Sequence, residues 1–226
     1  MLAQSFHRDR SALPAPSHRD GLGGHHASRD GTSIGGRVMR IVVIGTSGTG
    51  KTTLARELAG RFALPHIELD AINWQPGWRD LARHDPATFR RRVAEAIQAE
   101  TWVADGNYEG VLDVVWRRAT HLVWLDYDRP VIMVRVIGRS LLRVILRTEL
   151  WAGTGNRERW HYLLQPSHPI RWAWSTWRRL RQRTLERLGQ PEFAHLVVLR
   201  LRGPEEAQGV AGRLSQVCPG NPPTPR

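Results

Sequence analysis

The stretch Arg40-Ile-Val-Val-Ile-Gly-Thr-Ser-Gly-Thr-Gly-Lys-Thr52 sets how the rest of the chain is read. Ile41 to Ile44 is a continuous apolar run, the pattern of a strand buried on both faces. Gly45 to Thr52 then satisfies G-x-x-x-x-G-K-[ST], a loop that cradles phosphates. Its glycines permit positive φ and aim successive N–H groups at phosphate oxygens, and a helix starting near Lys51 adds the positive end of its dipole. The nucleotide-binding candidates are therefore Gly45, Thr46, Ser47, Gly48, Thr49, Gly50, Lys51, Thr52 and Thr53. Lys51 would reach the β- and γ-phosphates of ATP, and the Thr52 hydroxyl would coordinate Mg²⁺. The spacing of Gly45, Gly48 and Gly50 does not fit the G-x-G-x-x-G of a dinucleotide site.

Outward from this loop, short apolar runs alternate with longer helical patterns, the signature of a parallel sheet with crossover helices. Strands are expected at Met39–Ile44, His66–Leu69, Trp102–Ala104, Leu122–Leu125 and Leu196–Leu201. Helices are expected at Lys51–Phe62, Pro86–Glu100, Gly110–Arg118, Pro130–Thr148, Asn156–Leu163, Pro169–Leu188 and Pro204–Val217. Three carboxylates close strands: Asp70, Asp105 and Asp126. In an open α/β sheet the ligand sits beyond the carboxyl ends of the strands, where such groups reach a metal ion or an acceptor hydroxyl. Asp105 and Thr52 are the candidate metal residues; Asp126 is read as a cap or brace.

The chain has 226 residues, a net charge of +12 and a hydrophobic fraction of 41%, enough for a real core. Lysine occurs once, at Lys51, among 33 basic side chains. The single cysteine, Cys218, excludes an internal disulfide framework and fits a reducing, cytoplasmic setting. No run approaches the roughly 18 apolar residues of a spanning helix. Residues 1–38 read as a disordered tail, with His7, His18, His25 and His26 as solvated histidines and Met39 as a candidate start. Residues 39–217 read as the folded domain, with a basic helical lid at about 139–188, and 218–226 as a C-terminal tail.

From Met39 to about Leu188 the chain resembles the adenylate-kinase-like P-loop kinases, most closely the bacterial proteins labelled DNA topology modulation proteins. The resemblance rests on Gly45 to Thr52, Leu69-Asp-Ala-Ile-Asn-Trp-Gln-Pro-Gly-Trp78, Trp102-Val-Ala-Asp-Gly-Asn-Tyr108, Leu125-Asp-Tyr-Asp-Arg-Pro130 with Arg135 and Gly138-Arg139, and Gly155-Asn-Arg-Glu158. It implies an α/β P-loop NTPase of three α/β/α layers on a five-stranded parallel sheet, with ATP and Mg²⁺ as ligands. It also implies that Arg135 meets the adenine ring, Arg139 the phosphates, and that Asp105 supports the metal. The family's two acceptor-phosphate arginines have no counterpart in Asp70-Ala-Ile-Asn-Trp74 or Asp105-Gly-Asn-Tyr-Glu109. Asp70 suits an acceptor hydroxyl, which it can hydrogen-bond and help deprotonate, beside Asn73 and Trp74.

Residues 139–187 hold 11 arginines and three glutamates, most of the net charge. Arg135, Arg139, Arg143 and Arg147 recur every four residues down one helix face. Arg143 and Arg147 are read as a solvated face, and Arg157 and Arg159 as lid arginines that neutralise a transferring phosphoryl group. The helix Pro169–Leu188 is expected to pack its tryptophans on the domain with its arginines in water. Two function classes follow. One is an ATP- and Mg²⁺-dependent kinase acting on a nucleotide or small-molecule acceptor, with Lys51, Asp70, Asp105, Arg139 and Arg157 as its catalytic set. The other is an ATP-binding regulator that grips nucleic acid through residues 139–187. Lysine stands where a slim point charge must enter a backbone cradle that a planar guanidinium fits poorly. Lys51→Arg should abolish most ATP-dependent phosphoryl transfer while circular dichroism and the melting temperature stay near wild type.

Overall fold

The computed structural model describes residues 38–158, 160 and 168–216. The terminal tails, the four tail histidines, Cys218, Arg159 and residues 161–163 of the expected helix at Asn156–Leu163 lie outside them. In chain order the elements are β1 (Arg40–Gly45), α1 (Lys51–Phe62), β2 (His66–Glu68), α2 (Leu69–Asn73), β3 (Trp74–Gln75), β4 (Arg79–Asp80), α3 (Leu81–His84) and α4 (Pro86–Ala96). There follow β5 (Trp102–Asp105), α5 (Leu112–Arg118), β6 (His121–Leu125), α6 (Arg129–Leu146), β7 (Glu149–Leu150), β8 (Asn156–Arg157), α7 (Pro169–Leu188), β9 (Val197–Leu201), α8 (Pro204–Gln208) and α9 (Val210–Gln216).

The central sheet has five strands in the order β2-β5-β1-β6-β9, and every pairing is parallel. The chain steps to one side of β1 for β2 and β5 and to the other for β6 and β9, so the order reverses at β1. That reversal opens a crevice at the carboxyl ends, where a ligand enters. Alternate residues of β1 feed two cores. Ile41 and Val43 pack with Leu54, Leu58 and Phe62 of α1 and Leu214 of α9 on one face. Val42 and Ile44 pack with Phe89 and Val93 of α4 and Val115 of α5 on the other. Both faces are thus covered by helices, giving the three α/β/α layers expected from the uninterrupted apolar strands.

Several local readings differ from expectation, and the single helix expected at Pro204–Val217 is broken at Gly209 into α8 and α9. Leu69 and Asp70 open a short helix rather than extend β2. Asn156 and Arg157 are extended, pairing with Leu150 and Glu149 in a two-stranded hairpin between α6 and α7. Asn156 is taken from the helix by distant partners: its Oδ1 accepts from the Trp78 N–H at 3.0 Å and its Nδ2 donates to Gln75 O at 3.0 Å. The arginines of α7 do not all face water. Arg181 pairs with Asp126 at 3.2 Å, and Arg183 and Arg187 pair with Glu109, stapling α7 to the body of the domain. Trp177 packs inward and donates to Tyr127 O at 3.0 Å, whereas Trp174 is exposed under the Arg129 guanidinium. Among the described residues no helix is long and apolar enough to cross a membrane.

On α6 the buried side chains Ile132, Val136, Ser140 and Val144 recur every four residues. The arginine stripe lies one residue ahead of each of the last three, at the border between core and cleft rather than on the outer face. Asp126, at the end of β6, is nearly buried and braces the sheet edge: its Oδ2 accepts from Arg200 Nε at 2.8 Å and Nη2 at 2.5 Å. An amide there keeps shape but weakens three charged contacts, so Asp126→Asn should lower unfolding stability by about 2 kcal/mol, read by chemical denaturation.

Candidate functional site

The loop from Gly45 to Gly50 wraps around the Thr46 carbonyl. That oxygen accepts from the Thr49 N–H at 3.3 Å, the Thr49 hydroxyl at 2.8 Å and the Lys51 ammonium at 3.2 Å. Gly48 and Gly50 sit at φ 89° and 95°, where a side chain is strained. Gly50 is the N-cap of α1 and offers no side-chain acceptor, and no acidic residue occupies the first turn, so the helix start presents its N–H groups to an incoming anion. Asn107 clasps the base of the loop, donating to Gly45 O at 2.7 Å and accepting from Gly45 N at 3.4 Å. Its side chain carries no motif of its own, and sequence reasoning assigned it no role.

Sheet register brings Asp105 beside Val43 of β1 and Glu68 of β2. Its carboxylate is buried, with Oδ2 accepting from the Thr52 hydroxyl at 2.7 Å and Oδ1 held by His66 Nε2 at 2.8 Å. Thr52 and Asp105 therefore meet, and a hydroxyl beside a carboxylate is a donor set of the type that suits Mg²⁺. His66 is the partner that sequence reasoning missed.

Across the cleft, Asp70 opens α2 and accepts from the Tyr108 hydroxyl at 2.6 Å through Oδ1. Asn73 is fully buried and braces Ala82 through Oδ1, so it serves the frame of the site, while Trp74 lines the cleft. Trp74 stacks with Trp151 of the hairpin at 6.2 Å, and Trp78 stands edge-on to both at 5.8 and 6.1 Å. Trp78 and Trp151 both adopt φ 60°, a left-handed backbone that costs a bulky residue on the order of 1–3 kcal/mol and is stored at functional sites. Trp151 Nε1 donates to Glu68 at 2.8 Å, so the hairpin is joined to β2 through Trp151 and to the turn at Trp78 through Asn156.

From α6, Arg139 donates to the Ser47 hydroxyl at 3.0 Å, and Arg135 also lines the cleft. Arg143 departs from the solvated reading: it donates to Glu158 at 3.1 Å and lines the same space, whereas Arg147 is exposed at the helix end. Glu158 is buried against His168, whose Nδ1 caps α7. Arg157 is exposed in β8 and does not line the cleft. Together the loop, α2, α6 and the hairpin enclose about 660 Å³, within the range of small-molecule sites.

Burial pulls the Lys51 ammonium below its ordinary value, with Asp70 and then Asp105 opposing that pull. Burial, reinforced by Arg143, brings the Arg139 guanidinium down to about 10, still protonated at neutral pH. Burial also pushes the Tyr108 hydroxyl far up, and the adjacent Asp70 charge adds to it, so Tyr108 remains a hydrogen-bond donor to Asp70. The His168 imidazole is held low by burial against the attraction of Glu158.

No family model matches this chain, and no curated protein matches it. Among solved structures, it is similar to a shikimate kinase from Acinetobacter baumannii in complex with shikimate, at 16% identity and TM-score 0.47 over 78% of this chain and 90% of that one. It is similar to a gluconokinase from Sinorhizobium meliloti 1021, at 20% identity and TM-score 0.43 over 79% and 94%. It is also similar to a sugar kinase from Janibacter sp. HTCC2649, at 22% identity and TM-score 0.46 over 80% and 94%.

A methyl on Gly48 would lie 2.8 Å from Val136 Cβ on α6, too close without a shift of the helix that carries Arg135 and Arg139. Gly48→Ala should cost about 2 kcal/mol of stability and weaken ATP binding, both read by thermal shift with and without nucleotide.

Proposed function

We propose that the protein is an ATP- and Mg²⁺-dependent phosphotransferase that moves the γ-phosphoryl group to a hydroxyl of a small molecule. One observation carries this reading: a single cleft presents the phosphate-loop lysine and, facing it, an aspartate whose Oδ2 has no hydrogen-bond partner among the described residues. A nucleotide switch needs no such group.

ATP would lie along Gly45 to Thr53 with its base toward Arg135, and Mg²⁺ would be held by Thr52, with Asp105 fixing the threonine hydroxyl. These ligands supply the phosphoryl group and part of the charge that steadies it. The chain's own groups do the rest. Asp70 orients the acceptor hydroxyl and takes its proton as the new O–P bond forms and the bond to the departing ADP oxygen breaks. Tyr108 fixes the rotamer of Asp70. Lys51 and Arg139 supply positive charge where the equatorial oxygens gather it. The hairpin, joined to β3 and the turn at Trp78 through Asn156, keeps water from the acceptor side. Arg157, exposed in β8, belongs to the proposed set only if the hairpin turns it inward on nucleotide binding.

The second reading, a DNA-acting regulator related to the topology modulation proteins, draws less support. Arg139 and Arg143 turn into the cleft, and Arg181, Arg183 and Arg187 are engaged by carboxylates of the domain.

The test is MgATP-dependent transfer of γ-phosphate to a broad panel of hydroxyl compounds, nucleotides included. Asp70→Asn should lower kcat by about 10²–10⁴-fold with the KM for ATP within about twofold, since the lost group serves the proton and not the nucleotide. Slow hydrolysis alone, stimulated by DNA and indifferent to Asp70→Asn, would remove the kinase reading.

A further inference from the structure

The cleft is divided by charge. On the phosphate-loop side stand Lys51, Arg135 and Arg139, the cations a triphosphate requires. The opposite side is built from Glu68, Asp70 and Asp80 with Trp74, Trp78 and Trp151. Asp70 and Asp80 form no ion pair among the described residues, and both line the cleft, Asp70 held by the Tyr108 hydroxyl. Arg56, which also lines the cleft, is tied to Glu68 at 2.9 Å. Arg83 and His84 line the cleft as exposed residues, and Asp80 is bound to the backbone N–H of Arg83, not to its guanidinium.

The indoles are held in place before any ligand arrives. The Trp151 indole is fixed by Glu68, the Trp78 backbone N–H by Asn156, and both residues have backbones in the left-handed region. Indole faces attract cations and pack against rings, and they offer an anion nothing. An anionic acceptor would have to enter against the charges of Asp70 and Asp80, neither of which is in an ion pair among the described residues, whereas an ammonium group would gain from carboxylate and indole alike.

Resting on the phosphotransferase reading above, we propose that the acceptor is a ring-bearing hydroxyl compound with a positive charge or none, and that acceptors bearing a carboxylate or phosphate are rejected by Asp70 and Asp80. Asp70 receives the reacting hydroxyl, Trp74, Trp78 and Trp151 receive the ring, and Asp80 receives the amine where there is one.

The tryptophans at the site provide the readout. Full-length protein is titrated, by intrinsic fluorescence, with compounds matched in skeleton and differing in charge: glucosamine, glucose and glucuronate; tyramine, tyrosol and 4-hydroxyphenylacetate. Transfer from MgATP is followed on the same compounds. In each series the amine or the neutral compound should bind at least tenfold more tightly than the carboxylate. Asp80→Asn, which retains a helix-capping side chain, should narrow that gap at least threefold. Equal or tighter binding of the carboxylates, or no quenching by any amine or neutral member, overturns the proposal. Transfer to a carboxylate acceptor also overturns it but leaves the phosphotransferase reading standing. Charge-selective binding with no transfer to any compound upholds the selectivity and counts against the kinase.

Discussion

The two hydrogen bonds of the Asp105 carboxylate join the phosphate loop's helix to two strands of the sheet. One oxygen holds the Thr52 hydroxyl at the start of α1, the other holds His66 at the start of β2, and the residue itself ends β5. A buried carboxylate is expensive unless its oxygens are satisfied. Thr52 can meet it only if the loop turns as it does, and His66 only if β2 lies beside β5 in the observed register. The geometry of the phosphate loop and the order of the sheet are therefore satisfied together or not at all. The same register sets Glu68 level with Asp105, and from Glu68 the chain turns into α2 and delivers Asp70 to the opposite wall of the cleft.

A second constraint comes from the one-residue offset between two stripes on α6. Val136, Ser140 and Val144 are buried, and Arg135, Arg139 and Arg143 precede each of them. Residues one apart on a helix differ by about 100° in direction, so a stripe adjoining the buried one points along the seam between the helix and its neighbour. Here that seam is the mouth of the cleft. Gly48 makes the approach possible: its missing side chain lets α6 come within contact of the loop at Val136, which places Arg139 on Ser47. Arginine suits this place because its guanidinium stays protonated under burial that would strip the charge from a weaker base.

The sheet was legible because strands buried on both faces leave continuous apolar runs, and α1 was legible because a motif of local spacing announces its first residue. Asp105 and Thr52 met as expected, since both lie at fixed offsets from strands whose order the fold class dictates. The hairpin was not legible. Asn156-Arg-Glu158 carries helix-compatible residues, and its extended form depends on contacts with Trp78 and Gln75, 78 and 81 positions away. Asn107 and His66 were silent for a similar reason: each is an ordinary polar residue one or two steps from a strand end, given meaning by a partner across the sheet. Arg143 misled because a four-residue arginine repeat looks alike whether it faces water or a cleft, and only the position of the buried stripe distinguishes them. Trp78 and Trp151 carried no signal of their left-handed backbones, because composition does not encode φ.

The arginine-rich composition and the solitary lysine fit one division of labour. Arginines here work at edges, where planar guanidiniums lie against carboxylates and indoles, as Arg200 does on Asp126 and Trp124, and as Arg129 does on Trp174. Lys51 works inside a closed turn of backbone, where its ammonium makes a bond to the Thr46 carbonyl that a phosphate oxygen is shaped to replace. A compact, rotatable head can leave that carbonyl and follow an anion without moving the loop, whereas a rigid fork would have to displace the backbone around it. Burial weakens the hold of Lys51 on its proton, and Asp70 and Asp105 oppose that loss in part. The carboxylates expected to serve the acceptor and the metal thus also favour the charged form of the loop's cation, and this ties the two halves of the cleft before either ligand is bound.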